Sequence, residues 1–297
     1  MPQDMTVMIE GSPSKSPGDF GDLAKAYGLR RVGTRPPLGT YLWQAWQRRD
    51  FMVTMALYRL RSTVEGNRLG VLWYVIRPLI DAAIYGLIFG VLQGSARPPD
   101  YIAYVVTGVF LFNFFTTSFS TGAQSIVSSN ALVQSLAFPR LTLPLSRVVE
   151  SFLAFLPSMT LLPFLLVAFG HRPSWQWLLM IPLLALFFLF SSGTALVMAR
   201  LTVHLRDVSQ LIPVISRLLF YTSGVLFDVN RIFEQYHWVI KVYNFYPLYQ
   251  VLCIARGLMM GTAYPLHYWF DFSVWSVVFF IVGLLFFWSA EERYGRE

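Results

Sequence analysis

Cysteine is nearly missing from this chain of 297 residues: Cys253 stands alone. That excludes an intrachain disulfide and any cysteine-built metal cluster, and leaves Cys253 the ordinary role of a buried thiol. Charge is scarce too, at 13% of residues, where a soluble domain carries ~25%. Lysine occurs only as Lys15, Lys25 and Lys241, none of them after a glycine-rich loop. The chain therefore lacks the G-x-x-x-x-G-K-[ST] cradle and binds no ATP of its own. H-E-x-x-H and G-x-S-x-G are absent as well, and His171, His204, His237 and His267 fall in separate loops. The sequence reads as a non-enzyme with no metal site.

What is abundant is apolar surface. Hydrophobic residues make up 55% of the chain and aromatics 17%, and the mean hydropathy is +0.52. That balance cannot coat a soluble globule of this size and places the protein in a membrane. The first forty residues hold no apolar core ahead of a small-residue cleavage site; rich in Gly, Pro, Ser and Lys, they read as a flexible tail. The net charge of +7 belongs to the cytoplasmic ends of spans rather than to nucleic-acid binding.

Six segments have the length and hydrophobicity of a membrane helix: Leu69–Leu92, Tyr101–Val127, Leu143–Phe169, Trp177–Ala199, Leu211–Phe227 and Tyr268–Ser289. The fifth is the shortest and carries Pro213 and Arg217. With both termini cytoplasmic, seventeen Lys/Arg lie inside and five outside, the asymmetry of a multi-pass protein of the inner or plasma membrane. The expected organisation is a tail over 1–40, an amphipathic helix and linker over 41–68, and a six-span domain over 69–297.

Three pieces do not span. Before the first span, Trp43, Trp46, Val53, Leu57 and Leu60 recur at helical spacing, with Arg48, Arg49, Arg59 and Arg61 around them. Such a helix suits the headgroup layer, or packing on a soluble partner. Outside, Pro247 opens a helix of about fourteen residues whose apolar positions are Leu248, Val251, Leu252, Ala255, Leu258 and Met259, with Arg256 inside. A second short helix precedes it near Ile232–Tyr243, and the pair reads either as a lid or as packing on the bundle. On the cytoplasmic side, Asn130 caps a short helix with Leu132, Val133, Leu136 and Ala137 on its apolar side. Pro139 stops it and Pro144 starts the third span. The stretch 201–210 forms a matching loop.

Within the spans, Arg77 and Asp81 are spaced to neutralise one another, as are Arg147 and Glu150. Gly86, Gly90 and Gly94 make a small-residue repeat suited to close helix contact.

From about Trp43 onward the chain resembles the permease subunits of ABC type 2 exporters, most closely the Wzm-like branch that exports lipid-linked polysaccharides, O antigens and teichoic acids. The likeness rests, in order, on "RRDF…YRLRS…RLGVLWYVIRPL", "NALVQSLAFPRLTLPLSRVVE", "LRDVSQLIPVI" and "YPLYQVLCIARGLMMG". It departs where "LRSTVEGNR" lengthens the link into the first span, and where Tyr246 stands before Pro247 in place of the usual asparagine.

The resemblance implies an all-α membrane protein with an interfacial helix, a coupling helix and re-entrant outer gate helices. It further implies a homodimer joined to two copies of a separate cytoplasmic ATPase, which carries ATP and Mg. Asn130, Leu132, Val133, Leu136, Phe138, Pro139 and Arg140, with Arg206 and Asp207, would meet that ATPase. Tyr246, Pro247, Tyr249 and Arg256 would belong to the outer gate. Arg48, Arg49, Arg59 and Arg61 suit a lipid diphosphate. Tyr74, Tyr85, Phe112, Phe115 and Tyr221 are expected to line a glycan channel. The substrate expected is a lipid-linked cell-wall or surface glycan, galactan first. A drug-export permease of the same superfamily, and a membrane enzyme or proton-coupled carrier using Asp81, Glu150 or Asp271, are the alternatives.

Overall fold

The computed structural model describes residues 36–65, 68–94, 97–98, 100–129, 132, 138–205 and 207–291. All regular structure among them is helical. Two helices precede the first membrane segment, α1 (Leu38–Gln47) and α2 (Arg49–Val64). They are followed by α3 (Trp73–Leu92), α4 (Tyr101–Ala123), α5 (Thr142–Ala168) and α6 (Met180–His204). Next come α7 (Val208–Thr222), the short outer helices α8 (Val229–Ile232) and α9 (His237–Asn244), then α10 (Pro247–Met260) and α11 (His267–Ser289).

Five helical stretches are long and apolar enough to cross a membrane: Gly70–Leu92, Tyr101–Ala123, Thr142–Ala168, Trp175–His204 and His267–Ser289. The fifth expected span is different. Its helix, α7, has 15 residues and rises ~22 Å at 1.5 Å per residue, short of a hydrocarbon core of ~30 Å. The cause is local. Gly224 takes φ +74°, a left-handed turn open to glycine that ends the helix at Thr222, five residues before the apolar run does.

α4 is the axis of the bundle, buried along most of its length and packed by α3, α5 and α6. The closest neighbours are α6 and α11. They meet at glycine: a Cβ on Gly193 would run into the backbone of Phe279 and Phe280, and one on Gly283 into the Gly193 carbonyl. Gly122 sits against Ala195 in the same way. The expected repeat on α3 behaves otherwise. A Cβ on Gly90 would stand 3.3 Å from the Tyr101 ring, while one on Gly86 or Gly94 would meet open space, so of the three only Gly90 serves close packing among the described residues.

The expected single interfacial helix is broken at Arg48, whose φ −99°, ψ 18° separates α1 from α2. Its protein-facing side is Tyr41, Ala45 and Ala56, all buried. Trp43 and Trp46 remain 62% and 61% exposed. The tryptophan side is thus free of this protein and available to headgroups, where indole rings are favoured.

The loop expected between the fourth and fifth spans is shorter than its sequence implied. Helix α6 continues to His204 and α7 resumes at Val208, leaving 205–207 as connection.

Candidate functional site

At the end of the bundle that carries α1, the stretch that follows α4 ends in a polar knot. The Tyr41 hydroxyl donates to Glu291 Oε2 at 2.7 Å and accepts from the Leu141 amide at 3.0 Å. The Arg140 amide donates to Glu291 Oε1 at 3.2 Å, and its guanidinium donates to the Glu291 backbone carbonyl. The Pro139 carbonyl accepts from both the amide and the hydroxyl of Thr142, capping the entry to α5. Burial pushes the Glu291 carboxyl above the usual carboxylate range; the Tyr41 and Arg140 hydrogen bonds pull it back.

An apolar shell of Ile126, Leu141, Leu143, Leu196 and Phe287 surrounds the knot, with Leu132 and Phe138 packed on it. Parts of four elements therefore meet here: α1, the stretch ahead of α5, α6 and the end of α11. Tyr41→Phe is expected to cost about 1–3 kcal/mol, the loss of a buried bridging hydroxyl, read as a lower melting temperature of the purified protein. An unchanged melt would remove the knot from the fold's supports.

Of the residues expected to meet an ATPase, Leu132, Phe138, Pro139, Arg140 and Asp207 are placed as above or at the start of α7. Asn130, Val133, Leu136 and Arg206 lie outside the described residues.

The four arginines expected to meet a headgroup divide. Arg48 and Arg61 are exposed, and exposed Arg49 leans over the Trp46 ring, 5.5 Å from its centroid. Arg59 turns inward instead. Its Nη2 donates to Ser129 Oγ at 3.3 Å, and its Nη1 stands 4.0 Å from Glu150 Oε2. Arg147 Nη1 donates to the same Glu150 oxygen at 3.1 Å, and Arg147 Nη2 to Ser128 Oγ at 3.4 Å. The expected Arg147–Glu150 pair therefore forms. The expected Arg77–Asp81 pair does not: Arg77 lies over the Trp73 ring, 5.7 Å from its centroid.

Around α10, Arg256 is the centre. It is 2% exposed and lies in a helix with no acid at helical spacing. Backbone carbonyls receive it instead. Nε donates to Tyr104 O at 3.3 Å, Nη1 to Gly224 O at 3.0 Å and Nη2 to Val225 O at 2.9 Å, with the guanidinium 3.4 Å from the Tyr104 ring centroid. The rest of the turn is held by hydroxyls and an amide. Tyr104 donates to Gly224 O and Phe227 O, and Tyr101 and Gln93 both donate to Leu226 O. A non-helical turn at membrane depth needs its carbonyls satisfied by protein, and these four residues do so.

Pro247 sits at the first position of α10 as expected, and Gly261 at φ +74° closes it. The helix is buried on nearly every side, inserted among α4, α6 and α11. Tyr249 packs between Tyr243 and Tyr268, with Asn230 donating to its hydroxyl, and Tyr246 stacks edge-on to Tyr243. α9 rides outside, with Trp238, Val242 and Phe245 exposed. Below this pair lies an apolar cavity of about 790 Å³ bordered by Phe115, Phe190, Leu219, Tyr246 and Trp275.

The five expected channel aromatics are spread out. Tyr221 is exposed, and Tyr74 and Tyr85 are half-buried on α3. Phe112 is buried against Phe220 and Phe115. Phe115 is buried in a stack with Phe119, Phe187 and Phe190 and borders the cavity. Sequence reasoning missed Tyr104, Tyr101, Gln93 and Gly224. The available signal was Arg256 itself, a cation in an apolar helix that had to find carbonyls, and the Ser-Gly pair ahead of "VLFD".

The described residues thus form a helical bundle with five helices long and apolar enough to cross a membrane, a preceding helix pair, a polar knot and a turn pinned by a buried arginine. Residues 52–260 match the ABC-2 type transporter family model, and the chain belongs to that family. It is 28% identical over 248 residues to the O-antigen export system permease protein RfbA of Klebsiella pneumoniae, covering 83% of this chain and 94% of that one. A permease of the same description from Myxococcus xanthus is 25% identical over 192 residues, 65% of this chain and 74% of that one. The polysialic acid transport protein KpsM of Escherichia coli is 20% identical over 242 residues, 80% and 92% of the two chains.

Proposed function

We propose that this protein is the membrane permease of an ATP-driven exporter that carries a lipid-linked surface polysaccharide from the cytoplasm to the outer side. An O-antigen-type or cell-wall glycan, galactan included, is the cargo. Two copies form the passage, with both termini cytoplasmic. Each copy takes its drive from a separate cytoplasmic ATPase, whose ATP and Mg this chain does not hold. The similarity to O-antigen and polysialic acid permeases over most of their length supports the cargo class.

The observation that carries the mechanism is the knot at Tyr41, Arg140, Leu141 and Glu291. Force applied by an ATPase to the stretch 128–140, or to Arg206 and Asp207 beside it in function, passes at once to the interfacial helix, the third span and the last span. The cationic residues Arg48, Arg49, Arg59 and Arg61 draw the diphosphate of the carrier lipid to the cytoplasmic surface. Tyr74, Tyr85 and Tyr221 offer ring faces to sugars, and Tyr246, Pro247, Tyr249 and Arg256 hold the outer gate.

Two experiments test this. Purification in detergent should bring down a stoichiometric ATPase. In vesicles reconstituted with that ATPase, Leu136→Glu and Pro139→Ala should abolish glycan export while ATP hydrolysis continues. Export and transport-stimulated hydrolysis at wild-type levels in both variants would sink the coupling assignment.

A further inference from the structure

Two guanidinium groups share one carboxylate beside the start of the coupling stretch. Arg59, Arg147 and Glu150 have side chains 17%, 21% and 17% exposed, and together carry a surplus positive charge. Glu150 cannot satisfy both arginines. It takes Arg147 at 3.1 Å and leaves Arg59 Nη1 at 4.0 Å, beyond hydrogen-bond length.

Two donors are left over. Arg59 Nη1 and Arg147 Nε are buried and have no acceptor among the described residues. Burial and the neighbouring Arg147 push the Arg59 guanidinium below its ordinary value, with Glu150 opposing them. An arginine pair kept together with unpaired donors is unfavourable unless a second anion completes it. The hydroxyls of Ser128 and Ser129 already touch the same two guanidiniums, at the point where the chain enters the coupling stretch.

We infer that Arg59 and Arg147 form the seat for a lipid-borne diphosphate, with Glu150 as the competing anion that occupies it at rest, and that filling the seat is transmitted to the coupling stretch through Ser128 and Ser129. Planar guanidinium forks suit phosphate oxygens bidentately. The lipid-borne part of this inference rests on the export reading above. Arriving diphosphate displaces Glu150 and draws both arginines, which changes their hold on Ser128 and Ser129. Loading of cargo is thereby reported to the segment an ATPase would touch. Arg147 was read from the sequence only as half of a structural pair; here it is a binding residue.

The test uses the full chain in phosphatidylcholine nanodiscs, with farnesyl diphosphate as probe and farnesol as its uncharged control. The diphosphate should bind at least about tenfold more tightly than farnesol, and Arg59→Gln and Arg147→Gln should each weaken it about tenfold. Glu150→Gln should tighten it, because a competitor is removed; a purely structural carboxylate would leave affinity unchanged or lower it. Thermal melts identify any variant that has lost its fold. If Arg147→Gln is one, Arg59→Gln and Glu150→Gln decide the matter.

Hydrogen exchange over residues 128–141 should change on adding the probe to wild type and not to Arg59→Gln. No tightening in Glu150→Gln, or no change in exchange, overturns the inference. Inorganic diphosphate should compete with the probe. Phosphatidylglycerol introduced into the nanodiscs should not; equal competition by it would make the seat one for bulk bilayer phosphate and overturn the assignment. Neither ATPase nor glycan is present in the titration, so it can fail while the export reading stands, and the reverse.

Discussion

Arg256→Met is expected to lower the stability of the purified protein by about 3–5 kcal/mol, the range for stranding buried polar groups that one charged residue had satisfied. Three carbonyls, Tyr104 O, Gly224 O and Val225 O, each lose the guanidinium as a donor, and of these Gly224 O keeps only the Tyr104 hydroxyl. At this depth water cannot replace it without cost. The measurement is a thermal melt in detergent, followed by exchange at the turn 223–228.

Arg256→Lys separates charge from shape. A single ammonium keeps the charge but lacks the fork that reaches three carbonyls, so it should fall between wild type and Arg256→Met. Gly108→Ala should imitate the loss from the other side, since a Cβ there would stand 2.5 Å from Arg256 Nη2 and 3.2 Å from the Val225 carbonyl. Wild-type melting of Arg256→Met would show that the turn is held by something else.

The second large effect is expected at the joint between α6 and α11. Gly193→Ala adds one carbon, and that carbon meets the backbone of Phe279 and Phe280 rather than a side chain able to swing away. Backbone cannot give locally, so α11 must shift along its length. Overpacking of this kind costs about 1–3 kcal/mol or more. Because α11 also delivers Glu291 to the knot with Tyr41 and Arg140, the variant should lose the proposed export activity beyond what its melt alone explains. Gly283→Ala, which would crowd the Gly193 carbonyl, should behave alike. Export at wild-type level in either variant would show that the two helices can part without consequence.

How much of this was readable beforehand follows from which forces act locally. The five long spans are legible because eighteen or more residues of high mean hydropathy with almost no charge leave few alternatives, and Pro247 and Gly261 bound α10 through their own backbone preferences. Hydropathy fails at α7 because "SGVLF" is as apolar as the helix it follows. What ends the helix is the left-handed Gly224, and what makes that ending affordable is Arg256, thirty-two residues away.

The tryptophan side of the interfacial helix was legible, since Trp43 and Trp46 stay exposed; the opposite side was not, because Tyr41, Ala45 and Ala56 do the packing and small residues leave no mark in a periodicity. Helical spacing also promised Arg77 to Asp81, where the Trp73 ring is the nearer partner. The meeting of Arg59 with Arg147 could not be read at all, since it depends on how α2 lies against α5.

The shortness of α7 has a consequence for any polymer moving beside it. Hydroxylated sugars resist a dry path in proportion to its length, and α7 presents a greasy flank for only about three-quarters of the hydrocarbon depth. Above Thr222 the flank gives way to a cuff of backbone dipoles pinned by Arg256 and Tyr104. A chain of any sugar composition leaving along that route would pass a turn whose peptide groups are already satisfied inside the protein, a surface that reads no particular sugar and so need not change with the cargo.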